Sequence, residues 1–272
     1  PGRTGGVKMI LIGEKLNSSI PKTLEAFQAK DESAVVELIR RQADGGAQFL
    51  DINTAICGEA EQETLLWVIG LVKDNCDCGI MIDTTDPAVM AAGVQAAAGR
   101  GLILNSATIT DRFEEVTRLA RESGASVVGL PIDSEGMPHT AQEKCAKIDL
   151  LMGKLREAGI PDSRIYVDVL IETLATDGES AKNAIAALRH VAANYPDAQT
   201  TCGLSNISFG LPRRSLINSA FVSAALSAGL TSAILDPASP AMQAALAASR
   251  VVAGQDDYCM DYITYIRSQE EE

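Results

Sequence analysis

Short, nearly continuous apolar runs recur along the chain, and after each run apolar residues return at helical spacing. A continuous apolar run is typical of a parallel strand covered on both faces, because neither face of such a strand meets water. The pattern therefore predicts eight strands, at residues 8–13, 48–52, 79–82, 101–104, 126–131, 164–170, 200–204 and 231–235.

The segments between these runs carry signals for the ends of helices. Asp31 or Ser33 is placed to cap one helix, and Asp86 precedes a proline at the first turn of another. Asp111 is followed by Glu114 three residues on, which predicts a capping box with Asp in place of the usual Ser or Thr. Further helices are predicted at residues 140–158, 178–193, 212–227 and 237–253.

Eight strand–helix alternations in 272 residues predict an α/β fold, a closed (β/α)8 TIM barrel that forms a single domain over residues 1–272. A doubly wound open sheet is the alternative, but no Gly-x-Gly-x-x-Gly loop follows the first strand. Residues 1–7 are expected to be a flexible or vector-derived leader. The acidic residues 269–272 are expected to be a frayed tail.

The composition limits which kinds of binding partner and which location in the cell are expected for the protein. A net charge of −13 disfavours nucleic acid and anionic membranes as partners. No apolar run approaches the roughly 20 residues that cross a bilayer, so a soluble, cytoplasmic protein is expected. The six cysteines are expected to be reduced thiols, and Cys76 and Cys78 have no second pair nearby to complete a zinc site. With two histidines in the chain, no metal centre is predicted.

Polar residues follow most of the apolar runs, at the carboxyl ends of the predicted strands, where barrel enzymes place their active sites. They are Glu14, Asn17, Asp51, Asn53, Asp83, Asn105, Asp133, Asp168, Asn206 and Asp236. A single residue of this kind is most often a turn residue or a helix cap, and we assign Asp86, Asp111 and Asp133 to that role.

Asp83, Asn105 and Asp168 are harder to explain as turns, because each is embedded among Ile, Val or Leu. An unpaired polar group there would cost about 1–3 kcal/mol. No Lys or Arg lies near Asp168 in the pattern, so a bound ligand is expected to supply its hydrogen-bond donors. Carboxylates and amides together suit a flat heterocycle with donors and acceptors on its edge.

Six stretches in register resemble the pterin-binding barrels, and among them the methyltetrahydrofolate:corrinoid methyltransferases. That group includes the folate module of cobalamin-dependent methionine synthase and the corrinoid methyltransferases of acetogens and methylotrophs. The stretches are Ile-Gly-Glu-Lys-Leu-Asn at 12–17, Gly-Ala-Gln-Phe-Leu-Asp-Ile-Asn at 46–53, Ile-Asp-Thr-Thr at 82–85, Leu-Asn-Ser at 104–106, Val-Asp at 167–168 and Gly-Leu-Ser-Asn-Ile-Ser at 203–208. The resemblance runs from the first predicted strand to the last.

The resemblance implies roles for individual residues. Asp83, Asn105 and Asp168 would hold the pterin, with Asp168 accepting from its amino and N–H edge. Asn206 would reach N5, the atom that carries the methyl group, and Asp51 would lie close by and organise water or the ring edge.

Five more residues complete the expected site. Ser208 and Glu14 are expected to be further pterin contacts. Arg213, Arg214 and Lys15 are expected to meet either the glutamate tail of folate or an acidic partner surface.

The implied reaction is a reversible in-line transfer of a methyl group between N5 of tetrahydrofolate and the cobalt of a corrinoid, with cob(I)alamin as the nucleophile. An amide does not titrate usefully, so Asn206 would stabilise charge at N5 through a hydrogen bond, and the proton would come from water through Asp51. The chain lacks the Asp-x-His-x-x-Gly signature of corrinoid domains, so a separate corrinoid protein is the expected partner. A homodimer is expected from the same resemblance.

Three alternatives stay open at this stage. Dihydropteroate synthase shares the barrel, but its Asn-x-Thr-x-Asp-Ser-Phe and Lys-Gly-Phe-Gly segments are absent. A non-catalytic folate-binding subunit of a methyl-transfer complex would keep the pterin contacts without the reaction. A phosphate-handling aldolase or isomerase is compatible with the fold alone.

Overall fold

A computed structural model describes residues 9–270, so the expectation for residues 1–7 and half of the predicted acidic tail lie outside the described residues. Within that range eight parallel strands alternate with helices in a nearly closed barrel, which confirms the predicted (β/α)8 fold. The strands are β1 (Ile10–Asn17), β2 (Phe49–Asn53), β3 (Gly79–Asp83), β4 (Leu102–Thr108), β5 (Ser126–Leu130), β6 (Ile165–Asp168), β7 (Gln199–Thr201) and β8 (Ser232–Leu235).

The helices pack around the outside of this sheet. They are α1 (Pro21–Ala29), α2 (Glu32–Asp44), α3 (Glu61–Asn75), α4 (Pro87–Ala96), α5 (Phe113–Ser123), α6 (Ala141–Glu157), α7 (Ser180–Asn194), α8 (Arg214–Ser227), α9 (Pro240–Val252) and α10 (Met260–Glu270). Across residues 9–270, every helix is too short or too polar to cross a membrane.

Two of the predicted helix caps are confirmed. The Asp31 carboxylate accepts a hydrogen bond from the Ala34 amide at 3.1 Å at the start of α2. Asp86 accepts from the Ala88 amide at 2.8 Å at the start of α4. These side chains satisfy amides that have no partner inside the helix.

The predicted capping box at Asp111 is wrong. Arg112 takes a left-handed conformation with φ 59° and stands between Asp111 and the first residue of α5. The Asp111 side chain is therefore not at the cap position, and the backbone carbonyl of Asp111 instead accepts a hydrogen bond from the Thr108 hydroxyl.

Several predicted strand ends also differ from the structure. β1 continues past Gly13 to Asn17 through an irregular pairing with β2. β6 stops at Asp168 rather than residue 170, because Leu170 is left-handed with φ 52°. β7 stops at Thr201 instead of residue 204, which places Asn206 in a separate turn five residues beyond the strand.

The sheet is continuous from β8 through β1 to β7, and the seam between β7 and β8 closes the barrel. One parallel bridge joins Gly203 to Ile234 there. Side chains replace much of the missing ladder: Thr200 and Thr231 each donate a backbone amide to the other's hydroxyl, at 2.8 and 2.9 Å.

Apolar side chains fill the barrel interior and leave space at one end. Ile12, Met81, Ile103, Val128 and Tyr166 form a small buried cluster of their own, apart from the larger core between sheet and helices. The open space therefore lies at the carboxyl ends of the strands, where the polar residues predicted from the sequence are found.

Candidate active site

A cavity of about 910 Å³ opens at the carboxyl ends of the strands. Its size suits a ligand with the bulk of a reduced folate. Of the residues predicted for the site, eight line it: Glu14, Lys15, Asp51, Asp83, Asn105, Asp168, Asn206 and Arg214. Arg213 and Ser208 do not line it.

The polar floor of the cavity consists of Asp51, Asp83, Asn105 and Asp168. Strand register brings part of it together, because Asp83 is paired with Asn53 on one side and with Asn105 on the other. The Asn53 amide donates to the Asp83 carboxylate at 2.8 Å. Burial raises the pKa of Asp83, and the Asn53 hydrogen bond and the nearby charge of Arg112 offset only part of that effect.

Asp51 is the most buried carboxylate of the floor, with 2% of its surface exposed. Its Oδ1 atom has no hydrogen-bond partner within the described part of the chain. Burial raises the pKa of Asp51 well above its ordinary value, the charges of Asp83 and Glu14 raise it further, and hydrogen bonding by Asn105 acts in the opposite direction. Burial therefore favours the protonated form of this carboxyl group, and its Oδ1 atom is available to a ligand.

Asp168 lies at the end of β6 and accepts a hydrogen bond from the Leu170 amide at 2.7 Å. Burial raises its pKa to about 6, although that hydrogen bond and the charge of Lys144 both lower it. The sequence pattern places no Lys or Arg near Asp168, but in the fold the charge of Lys144 acts on it. Lys144 is distant in sequence and comes close because its ammonium group, carried by α6, contacts the backbone directly after β6.

Lys144 is 1% exposed, and its ammonium group donates to the Leu170 carbonyl at 2.5 Å and the Val169 carbonyl at 3.3 Å. Both carbonyls belong to the segment that directly follows Asp168. Burial lowers the pKa of Lys144, and the neighbouring carboxylates Glu172 and Asp168 act against that shift. This lysine fixes the left-handed segment beneath the floor.

We expect Asp168→Asn to stabilise the ligand-free protein by about 1–3 kcal/mol at pH 8. The native pKa of about 6 lies above the ordinary value, so the wild type loses stability as pH rises through 6. Asparagine does not ionise and can still accept from the Leu170 amide. Urea unfolding at pH 8 and at pH 5 measures the difference, which should shrink towards acid pH.

A matched control has the opposite sign. The hydrogen bond from Lys147 at 2.6 Å lowers the pKa of Asp133, so Asp133 stabilises the fold above its ordinary pKa. Asp133→Asn should therefore destabilise the protein at pH 8, with the effect fading in acid. A destabilised Asp168→Asn variant at pH 8 would contradict the burial argument.

Asn206 sits on a single-turn 3-10 segment, Leu204–Ser208, which we call the Asn206 turn. Its side chain is exposed and lines the cavity. Among the described residues none donates to or accepts from its amide group. A free amide at this place can hydrogen-bond to a ligand that rests on the polar floor.

Glu14 and Lys15 reach the cavity wall from the irregular end of β1. The Glu14 carboxylate accepts from the Ser205 hydroxyl and pairs with the Lys15 ammonium at 2.9 Å. Lys15 also pairs with Asp236 at 3.3 Å. Burial acts to lower the pKa of Lys15, but these two carboxylates outweigh it and the pKa is raised. Most of the positive charge of Lys15 is thus compensated inside the protein.

Arg214 and Ser208 meet each other beneath the Asn206 turn. The Arg214 guanidinium donates to the Ser208 hydroxyl at 3.0 Å and to the Ser205 carbonyl at 2.6 Å. Arg213 precedes α8 in a left-handed conformation with φ 51° and is not among the residues that line the cavity.

The profile of the family described as pterin binding enzyme matches residues 13–236. The chain belongs to that family. The match covers all of the strands that supply the polar floor, and it covers the Asn206 turn.

Two curated relatives indicate the branch of the family. The chain is 30% identical over 256 residues to a methylcorrinoid:tetrahydrofolate methyltransferase from Eubacterium limosum, a match that covers 93% of this chain and 94% of the relative. It is 34% identical over 241 residues to methionine synthase from Mycobacterium tuberculosis, covering 84% of this chain but 20% of that protein. The resemblance predicted from the sequence and the expectation of a methyltransferase are thereby confirmed.

Solved structures of dihydropteroate synthases share this fold. Those from Xanthomonas albilineans and Coxiella burnetii superpose with TM-scores of 0.69 and 0.67, at 21% and 16% identity, each over 90% of this chain. They cover 92% and 93% of the solved chains. At such identities the likeness shows the barrel fold and nothing about the reaction.

Two residues at the site were not anticipated from the sequence. Lys144 shares the apolar stripe of α6 with Ile148, Leu151 and Leu155, which are all buried. A lysine on such a stripe was a usable signal for a buried cation. Arg112 lies at the carboxyl end of β4, but nothing in its local pattern separates it from surface arginines.

Proposed function

We propose that the protein transfers a methyl group between N5 of tetrahydrofolate and the cobalt of a corrinoid carried by a separate protein. The observation that carries this proposal is the polar floor, in which three carboxylates and an amide converge with an unpartnered oxygen on Asp51. The near full-length relationship to a methylcorrinoid:tetrahydrofolate methyltransferase supports it.

The floor fits the edge of a pterin ring. Asp83, Asn105 and Asp168 would hold the ring, with Asp168 accepting from the amino group and the adjacent N–H in a paired, charge-assisted contact. Among residues 9–270, Asp168 has one hydrogen-bond donor, the Leu170 amide, so its other acceptor sites are available to the ligand. Such a ligand would stabilise the ionised form that burial disfavours.

Asn206 would donate a hydrogen bond at N5 and stabilise charge that develops there during transfer. Asp51, whose pKa is raised by burial, would hold the proton that N5 or a nearby water exchanges. When the corrinoid is bound, its cobalt accepts or supplies the methyl group.

Glu14, Ser208 and Arg214 take indirect parts in this proposal. Glu14 accepts a hydrogen bond from Ser205, and Arg214 donates to Ser208 and Ser205. Since these bonds end on the Asn206 turn, the three residues would support the turn. Lys15 would take part through its ion pair with Glu14. A tail contact by Arg213, a cytoplasmic location and a homodimer remain predictions.

The corrinoid protein would dock over the open mouth of the cavity. Phe209 is 66% exposed beside the Asn206 turn, and it lines the cavity. An exposed aromatic ring at the rim suits contact with a partner or with the apolar face of its cofactor.

The test is a spectroscopic assay of wild-type protein with 5-methyltetrahydrofolate and cob(I)alamin, in which methylcobalamin formation is followed by its absorbance. The reverse reaction, with methylcobalamin and tetrahydrofolate, is measured in the same way. We expect transfer in both directions, because an in-line displacement between two nucleophiles is reversible.

Two other outcomes would replace the proposal. Folate binding without any transfer would identify a non-catalytic folate-binding subunit. Formation of dihydropteroate from 4-aminobenzoate and a pterin pyrophosphate would identify a dihydropteroate synthase. The buffer with cob(I)alamin and no protein is the control for uncatalysed methylation.

A further inference from the structure

The Asn206 turn is anchored by hydrogen bonds that join Ser205, Ile207 and Ser208 to other parts of the barrel. The Ser205 hydroxyl donates to Glu14 on β1. The Ile207 carbonyl accepts from the Leu174 amide at 3.0 Å. The Asn206 side chain is exposed, and no described residue hydrogen-bonds to it. The contacts therefore fix the backbone around Asn206 and leave its amide group for a ligand.

Arg214 makes the contacts that close the turn from the α8 side. Its guanidinium spans the turn, with one nitrogen on the Ser208 hydroxyl at 3.0 Å and another on the Ser205 carbonyl at 2.6 Å. Ser205 precedes Asn206 in the turn, and Ser208 is the last residue of the turn. A planar fork with several donors can make both contacts at once, whereas a lysine ammonium at the same place cannot match the geometry.

The charge of Arg214 is also used locally. Its guanidinium carbon lies 5.8 Å from the centre of the Phe209 ring, the residue that follows the turn. A cation near an aromatic face adds to the hold on the segment. Three contacts, to Ser208, Ser205 and Phe209, thus hold the Arg214 side chain against the turn.

We infer that Arg214 is a positioning residue, which holds the Asn206 turn so that the Asn206 amide meets the methyl-bearing nitrogen. The inference rests on the proposed function and replaces a folate-tail contact as the role of this arginine. Arg214 then affects the rate of the transfer step through Asn206. The affinity for the pterin ring depends instead on the residues of the polar floor.

The main test is a double-mutant cycle in the methyl-transfer assay. Arg214→Ala should lower the rate constant for transfer by roughly 5- to 30-fold, the factor that one or two kcal/mol represents, with little change in KM for the folate. In the Asn206→Ala background the same change should have almost no effect. Arg214→Lys should restore less than half of the loss, because the charge returns without the fork.

A truncated substrate separates the two roles of the arginine. With a 5-methyltetrahydropterin that lacks the aminobenzoyl-glutamate tail, the Arg214→Ala defect should persist undiminished. Loss of the defect with this substrate, or full rescue by Arg214→Lys, would overturn the inference in favour of a charge contact to the tail. Arg189→Ala removes the same charge from an exposed position on α7 and is the control.

A structural readout keeps the inference testable without activity. The amides of Asn206, Phe209 and Leu211 are hydrogen-bonded within and just after the turn, at 3.0–3.1 Å. Hydrogen exchange at these amides should be faster in Arg214→Ala than in wild type, while exchange in β2–β4 stays the same. Unchanged exchange at the turn would contradict the inference. If the wild type transfers no methyl group, the proposed function fails, and this measurement still decides whether Arg214 holds the turn.

Discussion

Asn206→Ala should slow methyl transfer by roughly 10²–10³, the loss typical of removing one hydrogen-bond donor aimed at developing charge. Folate affinity should change little, because the polar floor that would hold the ring is untouched. Single-turnover kinetics with cob(I)alamin give the rate of the transfer step, and fluorescence or calorimetric titration gives the affinity.

Two variants sharpen this result. Asn206→Asp keeps the shape but donates no hydrogen bond when ionised, so it should be about as slow as the alanine variant. Ser215→Ala, a cavity-wall change at the first turn of α8, should leave transfer near wild type. Turnover at the wild-type rate in Asn206→Asp would remove hydrogen-bond donation by Asn206 from the mechanism.

Lys144→Met should lower the free energy of unfolding by about 2–4 kcal/mol. The substitution fills similar space but leaves the buried carbonyls of Val169 and Leu170 without their donor. Removing a desolvated ammonium returns part of this cost, which is why the loss is smaller than for a broken buried ion pair. Urea denaturation followed by circular dichroism measures the change.

The same variant should also change the site. Without the Lys144 charge, the pKa of Asp168 should rise further, because that charge now opposes the effect of burial. Titration of the Asp168 carboxyl by NMR reports this directly. Lys182→Met, which removes an exposed ion pair with Glu179, should cost less than 1 kcal/mol and serves as the control. A Lys144→Met protein as stable as that control would contradict the predicted role.

The barrel and the row of polar strand ends were predictable from the sequence because both follow from simple repeats. A parallel strand that is buried on both faces consists of a nearly continuous run of apolar residues. A polar residue at the end of such a run is therefore easy to recognise in the sequence. Strand register then places Asp83 beside Asn105 without further information. The family resemblance rested on the same residues.

What failed was local backbone geometry and contact between distant segments. The left-handed conformation of Arg112 displaces a helix cap, and that of Leu170 shortens a strand. Neither arginine nor leucine is a residue type that favours this conformation, so nothing in the sequence indicates it. Lys144 approaches Asp168 only because the fold brings the segment after β6 against α6. The Arg214 contacts depend on where a short turn folds back, which no periodicity encodes.

The seam between β7 and β8 is held differently from the rest of the barrel. Backbone ladders run without interruption beneath Asp51, Asp83 and Asn105, whereas the strand leading to Asn206 has three residues and is held to its neighbour largely by threonine hydroxyls. If the proposed methyl transfer takes place, the strands that would bind the ring and the turn that would act at N5 are held by different kinds of contact. A loosened seam would then disturb the position of Asn206 and leave the strands that carry Asp51, Asp83 and Asn105 paired.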